Sequence, residues 1–195
     1  MRKESGKEQI AYEAAYLLNE AIRELLMPQH LSSLARKWYE GEAISERYAA
    51  AMNHLIMMSI IMNLYRLQET RDHFLEGCLF SDNELRRLGF PPVKEFVGDW
   101  NSFMIVRGQY TGHVIAKKAT KTKPGRILSA VALGQALRKT DLWNSDNFLQ
   151  RVREELVPGV ERVKDELLQR YPDARNFLEF TYPTELKIAA EGGEP

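Results

Sequence analysis

From Glu42 to Glu76 the sequence runs without a single proline or glycine, and its middle, Leu55-Ile56-Met57-Met58-Ser59-Ile60-Ile61-Met62, is apolar on every side. A helix of that kind is stable only when other elements surround it, so the segment belongs at the centre of a helical bundle. The longest apolar stretch, Leu55 to Leu64, is interrupted by Ser59 and Asn63, far below the ~20 residues that a membrane span requires. Met57, Met58 and Met62 suit an adaptable binding groove, but ordinary core filling explains them more simply.

The rest of the chain repeats apolar residues at three- and four-residue steps, and no stretch alternates for long. Residues 6 to 27 read as an amphipathic helix closing at Pro28, and a second, 29 to 40, carries Leu31, Leu34, Ala35 and Trp38 and stops at Gly41. Ser81-Asp82-Asn83-Glu84 has capping-box spacing and should start a short helix ending near Gly89. Pro91-Pro92 then turns the chain into a predicted long helix, about 92 to 118, with Phe96, Trp100 and Phe103 on its apolar stripe. A helix over 127 to 139 and a last amphipathic stretch from Asn144 or Ser145 follow, the latter kinked or split at Pro158-Gly159. These elements predict an all-α fold, an up-and-down bundle around a long central helix, as one domain over residues 1–180 with a poorly ordered tail over 181–195.

Lysine plus arginine equals aspartate plus glutamate, 27 against 27, so no global field draws the protein to nucleic acid or to an anionic bilayer, and any anion site must be local. A single cysteine, Cys78, excludes an intramolecular disulfide and any cysteine-based zinc site. With a charged N-terminus that lacks the apolar core of a signal peptide, it suits a cytoplasmic protein. Cys78 itself reads as a small hydrophobe. The chain contains no Walker A loop, no G-x-G-x-x-G, no G-x-S-x-G and no H-E-x-x-H. Glu69 and His73 stand one residue too far apart for the Glu-x-x-His of a dimetal bundle, and no cofactor is called for.

One local feature remains. Val106-Arg107-Gly108-Gln109-Tyr110-Thr111-Gly112-His113 ends an apolar helix and runs into Lys117, Lys118, Lys121, Lys123 and Arg126, a segment with five positive charges and no acid. A cationic loop directly after an arginine and a histidine can hold a polyanion. Arg107 has the planar fork that grips phosphate, and His113 has a side chain that takes and gives protons near neutral pH. Tyr110, one turn from each, is placed to stack a base or donate a hydrogen bond. The blander alternative pairs Arg107 with a carboxylate on a neighbouring helix, leaves His113 to terminate its own helix, and makes the basic segment a solvated connection. His30, His54 and His73 also follow an arginine closely, at seven residues where His113 follows Arg107 at six, and they read as structural.

With five residues between Arg107 and His113 on a late helix, the sequence resembles the HEPN superfamily of helical nucleotide-binding proteins and ribonucleases, in particular its abortive-infection and toxin branches. The resemblance covers residues 42 to 126. Gly108 departs from it, because the family usually has a polar residue there, and Gly112 adds a second glycine before the histidine. The resemblance implies metal-independent cleavage of RNA, in which a ribose 2′-hydroxyl attacks the adjacent phosphate while His113 moves the proton and Arg107 stabilises the developing charge. Six residues of ideal helix leave the two side chains about 120° apart. In the family that separation is met by pairing motif helices of two protomers, so the resemblance implies a homodimer, and members are often restrained by an antitoxin protein. A catalytically inactive adapter and a bundle binding a small ligand beside Met57, Met58 and Met62 are the rival readings.

Overall fold

The computed structural model describes residues 2–110, 115–117, 126–127, 130–143 and 145–178. His113, Lys118, Lys121, Lys123 and the tail over 181–195 lie outside them. The fold is an all-α bundle with one short β pair. Helix α1 (Arg2–Glu40) and helix α2 (Glu46–Thr70) form an antiparallel hairpin, and a π turn (Arg71–Leu75) extends α2. Three short helices follow, α3 (Asp82–Arg87), α4 (Val93–Phe96) and α5 (Trp100–Tyr110), then strands β1 (Ile115–Lys117) and β2 (Arg126–Ile127). Helices α6 (Ala130–Arg138), α7 (Ser145–Arg151) and α8 (Val157–Arg170) complete the bundle, with a π turn (Val152–Leu156) joining the last two. The buried apolar residues, from Ala11 to Ala174, form one cluster.

The break expected at Pro28 does not occur, and α1 passes through it. Proline cannot donate to the carbonyl four residues earlier, which here belongs to Glu24. The side-chain amide of Asn63, buried on α2, donates to that oxygen at 3.3 Å and also meets Ser59 Oγ at 3.3 Å. The hairpin partner therefore supplies the donor that proline removed. Arg66 grips the Glu24 carboxylate at 3.0 and 3.2 Å on the surface above.

Helix α2 is central, but its apolar middle is not enclosed on every side as expected. Ile56, Ile60, Ile61, Leu64 and Leu67 are buried, Met57, Met58 and Met62 are half-buried, and Leu55 is exposed. Toward the tip one face of each helix meets solvent, with Leu34 and Trp38 of α1 and Tyr48 and Leu55 of α2 exposed.

The Ser81 capping box forms as its spacing predicts: the Glu84 amide donates to Ser81 Oγ and the Ser81 amide donates to Glu84 Oε2. These bonds, with Arg170 reaching Glu84 at 3.0 Å, pull the Glu84 carboxyl down to about 2. Beside it the fully buried Arg71 pairs with Glu76 and Asp82. Asp82 also accepts from Arg86, which forks onto Glu95 at 2.7 and 2.9 Å. Gly89 adopts φ +80° at the turn after α3, and α8 crosses it so closely that a Cβ on Gly159 would overlap the Gly89 carbonyl and lie 2.7 Å from its carbon. The split expected at Pro158-Gly159 falls just ahead of them: a π turn, closed by the Val157 amide donating to Val152 O, precedes α8, and Pro158 stands in the first turn of that helix, where it removes no needed donor. Phe177 stacks on Tyr12 with centroids 4.6 Å apart, so the 3₁₀ segment Pro172–Phe177 closes over α1.

The long helix predicted over 92 to 118 is two shorter ones and then a strand. Gly98, at φ +83°, bridges to Thr140 and turns the chain between α4 and α5. The Asp141 amide donates to Val97 O and the Asp99 amide to Lys139 O, pinning that corner to the end of α6. Past Tyr110, the next described residues, Ile115–Lys117, are extended. No helix among the described residues is long and apolar enough to cross a membrane.

Candidate nucleic-acid interface

The site begins at the N-terminus of α5. Asp99 accepts the Ser102 hydroxyl at 2.6 Å and the Asn101 amide at 3.3 Å, satisfying donors that a first helical turn leaves open. The Ser102 bond, backed by the amides, holds the Asp99 carboxyl below the usual carboxylate range. Phe103 and Val106 are fully buried and fix the rotation of α5 against α2 and α6. Trp100 stacks on Phe103 with centroids 4.9 Å apart.

That rotation places Arg107, half-buried, over α2. Its guanidinium carbon lies 3.6 Å from the centroid of the Tyr65 ring, which is close cation–π contact. The Tyr65 hydroxyl hydrogen-bonds Glu69 one turn further on, and that bond, with burial behind it, raises the phenol above its ordinary pKa while the Arg107 charge works against the shift. The guanidinium is thus oriented by an aromatic face as well as by charge. Tyr65 is the residue that sequence reasoning missed. No spacing rule links positions 65 and 107, although Tyr65 and Glu69 stand at the i, i+4 step that lets them meet on one helix face.

Gly108 sits within α5 with nothing within 4 Å of where a Cβ would be, so it answers no demand for close packing. The backbone of Tyr110 ends the described part of the helix. His113 falls outside the described residues, and with Ile115–Lys117 extended, Arg107 and the strand that follows His113 are not on one continuous helix. The basic segment, expected as a loop, includes an antiparallel strand pair. Ile115 stands opposite Ile127 and Lys117 opposite Arg126, which sets two cationic residues at paired positions.

The other arginine–histidine pairs have different surroundings. Arg23 pairs with Glu20 and Arg66 with Glu24 on the surface, and His30, His54 and His73 are exposed. Cys78, half-buried, packs against the core with its thiol 3.7 Å from the His73 carbonyl. Among the described residues no group of three or more His, Cys, Asp or Glu side chains is arranged to hold a metal ion. A separate cavity of about 400 Å³ opens between α1, α2 and α7, bordered by Ser32, Arg36, Tyr39, Met57 and Leu149. Met58 and Met62 do not reach it.

Compared with known protein families, with curated proteins and with solved structures, the chain matches none.

Proposed function

We propose that this chain is a HEPN-like RNA-binding bundle and that it cleaves RNA at Arg107 and His113. The observation that carries the reading is the seat of Arg107: its guanidinium is held against Tyr65 on the helix that leads into a strand pair setting Lys117 opposite Arg126. An oriented guanidinium can stabilise charge that develops on a phosphate, and a cationic hairpin beside it draws the backbone of a single strand. In this reading Lys117, Lys118, Lys121, Lys123 and Arg126 bind phosphates and Tyr110 stacks a base. His113 takes the proton of the attacking 2′-hydroxyl or returns one to the leaving 5′-oxygen, giving a cyclic phosphate and a free 5′-hydroxyl. A homodimer and a restraining antitoxin partner, in a defence or toxin–antitoxin setting, complete the proposal. They follow from the resemblance and not from the geometry.

The test is cleavage of a labelled single-stranded RNA in EDTA, with the products analysed for cyclic phosphate ends. Arg107→Ala and His113→Ala should each abolish cleavage, while Arg107→Ala with Lys121→Glu should weaken binding and flatten its salt dependence. Three to five phosphate contacts correspond to a log–log slope of about −2 to −3.5. RNA binding that ignores both substitutions, or cleavage that survives them, ends the proposal.

A second reading, a ligand-binding bundle, is favoured by the cavity beside Met57, which is of the size that small organic ligands occupy. Thermal-shift measurements against nucleotides and other small ligands should then show stabilisation that Met57→Glu removes.

A further inference from the structure

Most of the large apolar side chains that the described residues leave exposed lie on one part of the molecule, the outer half of the α1–α2 hairpin. On α1, Met27, Leu31, Leu34 and Trp38, at steps of four, three and four residues, fall within an arc of about 60°, while the exposed Tyr39 lies about 100° further round, on the side that borders α2. On α2 they are Tyr48 and Leu55, seven residues and about 20° apart, with the exposed Ala51 between them. Each set is a straight stripe.

The two stripes share one face of the hairpin. Ser32, Ala35 and Tyr39 of α1 and Ala49, Asn53 and Ile56 of α2 border one cavity, so they mark the sides on which the helices face each other. Arg36, Met57 and Leu149 border it as well, which marks the side where α7 packs. From the facing side, each stripe lies about 120° round its helix in the direction away from Arg36 and Met57. Because the helices are antiparallel, that rotation brings both stripes to the same side, opposite α7. The bond from Asn63 to Glu24 O sets the register, which puts Leu31 beside Leu55 and Trp38 beside Tyr48.

A two-helix layer with an apolar outer face is half of a packed unit. With about 200 Å² for a large side chain, exposures of 53, 37, 41, 45, 68 and 62% leave roughly 600 Å² of apolar surface on Met27, Leu31, Leu34, Trp38, Tyr48 and Leu55. Two such faces together hide about 1,200 Å², the lower bound for a stable specific interface. The net charge of zero puts no repulsion between copies. The stripes themselves carry no charged residue between Met27 and Trp38 or between Tyr48 and Leu55 at the positions that face outward.

We propose that this face pairs with the same face of a second copy about a two-fold axis, the two hairpins making a four-helix bundle. The proposal goes beyond the functional reading: it rests on hairpin packing and not on RNA chemistry, and its contact is separate from the pairing of motif helices that the resemblance implies. Neither Arg107 nor Tyr65 is among the side chains that make up this face.

Sedimentation velocity of the full chain from about 1 to 50 µM tests it. The wild type should sediment as a dimer. Leu31→Glu with Leu55→Glu should raise the self-dissociation constant by about 100-fold or more at unchanged helix content, and Tyr48→Arg alone should act in the same direction. Arg107→Ala should leave the mass unchanged, so a failure of the RNA reading leaves an intact dimer and a failure of this one leaves RNA binding intact. A wild type that stays monomeric at the highest concentration overturns the proposal, as does one that floats with phosphatidylglycerol vesicles instead of pairing. A dimer that tolerates both sets of substitutions places the contact elsewhere and overturns it too.

Discussion

Replacing Asn63 by leucine should reveal how α1 survives its proline. Leucine has a similar volume and can fill the site among Leu17, Ala21 and Leu67, but it offers no donor to Glu24 O. A carbonyl left unsatisfied beneath the surface costs about 1–3 kcal/mol, and the 3.3 Å length of the native bond points to the lower half, about 1–2 kcal/mol. At this chain length that corresponds to a fall in Tm of about 2–8 °C. The decisive control is Pro28→Ala, which restores a peptide N–H able to reach the same oxygen within the helix. In that background Asn63→Leu should cost only its packing residue, leaving a coupling of about 1 kcal/mol between positions 28 and 63. Urea denaturation followed by helical circular dichroism over the four proteins yields the coupling directly. If Asn63→Leu costs the same within ~0.3 kcal/mol in both backgrounds, the amide is not replacing the proline's donor and the reasoning fails.

Tyr65→Leu should weaken RNA binding by releasing Arg107, whereas Tyr65→Phe, which keeps the ring and loses only the Glu69 bond, should bind as the wild type does. Equal losses in a fluorescence titration would show that the hydroxyl matters and the cation–π contact does not. Two glycines should respond to alanine with opposite signs. Gly159→Ala must displace the Gly89 backbone and should destabilise by about 2–3 kcal/mol, while Gly108→Ala meets open space and should stabilise α5 by up to about 1 kcal/mol. Calorimetry separates them. The Glu84 carboxyl lies lower when folded, at about 2, than in the unfolded chain, so the folded state binds fewer protons. Its stabilisation is complete above the unfolded pKa and is lost as the pH falls from about 5 toward 2. Glu84→Gln should make the acid limb of the Tm–pH curve shallower, and an unchanged limb would count against the Ser81–Glu84–Arg170 cluster.

What the sequence made legible was local. The Ser81 capping box, the uninterrupted α2, the stop at Pro91-Pro92 and the helices after residue 127 are set by contacts within a few residues, and their signals hold. Pro28 misled because the group that neutralises it is Asn63, far along the chain. Gly98 was read as part of a helix because nothing nearby reveals that Thr140 and Lys139 lie against it. Leu55 was assigned to the core by its neighbours, yet it lies on the face of the hairpin opposite α7, where no described element covers it. At the candidate site, the motif draws attention to Arg107 but gives no sign of its aromatic seat on Tyr65. The strand pairing of Lys117 with Arg126 depends on chain reversal between them, which composition does not encode.

The π turn at Val152–Leu156 makes the distance along the chain between Ser145 and Gly159 inflexible. Each residue of helix carries about 100° of rotation, so removing one from this stretch would swing α8 until a side chain faced Gly89 in place of the bare Gly159. Shortening or lengthening the connector 41–45 moves only the tip of the hairpin. Length variation should therefore be tolerated at that connector and refused at the turn, although both lie outside ordinary α-helix.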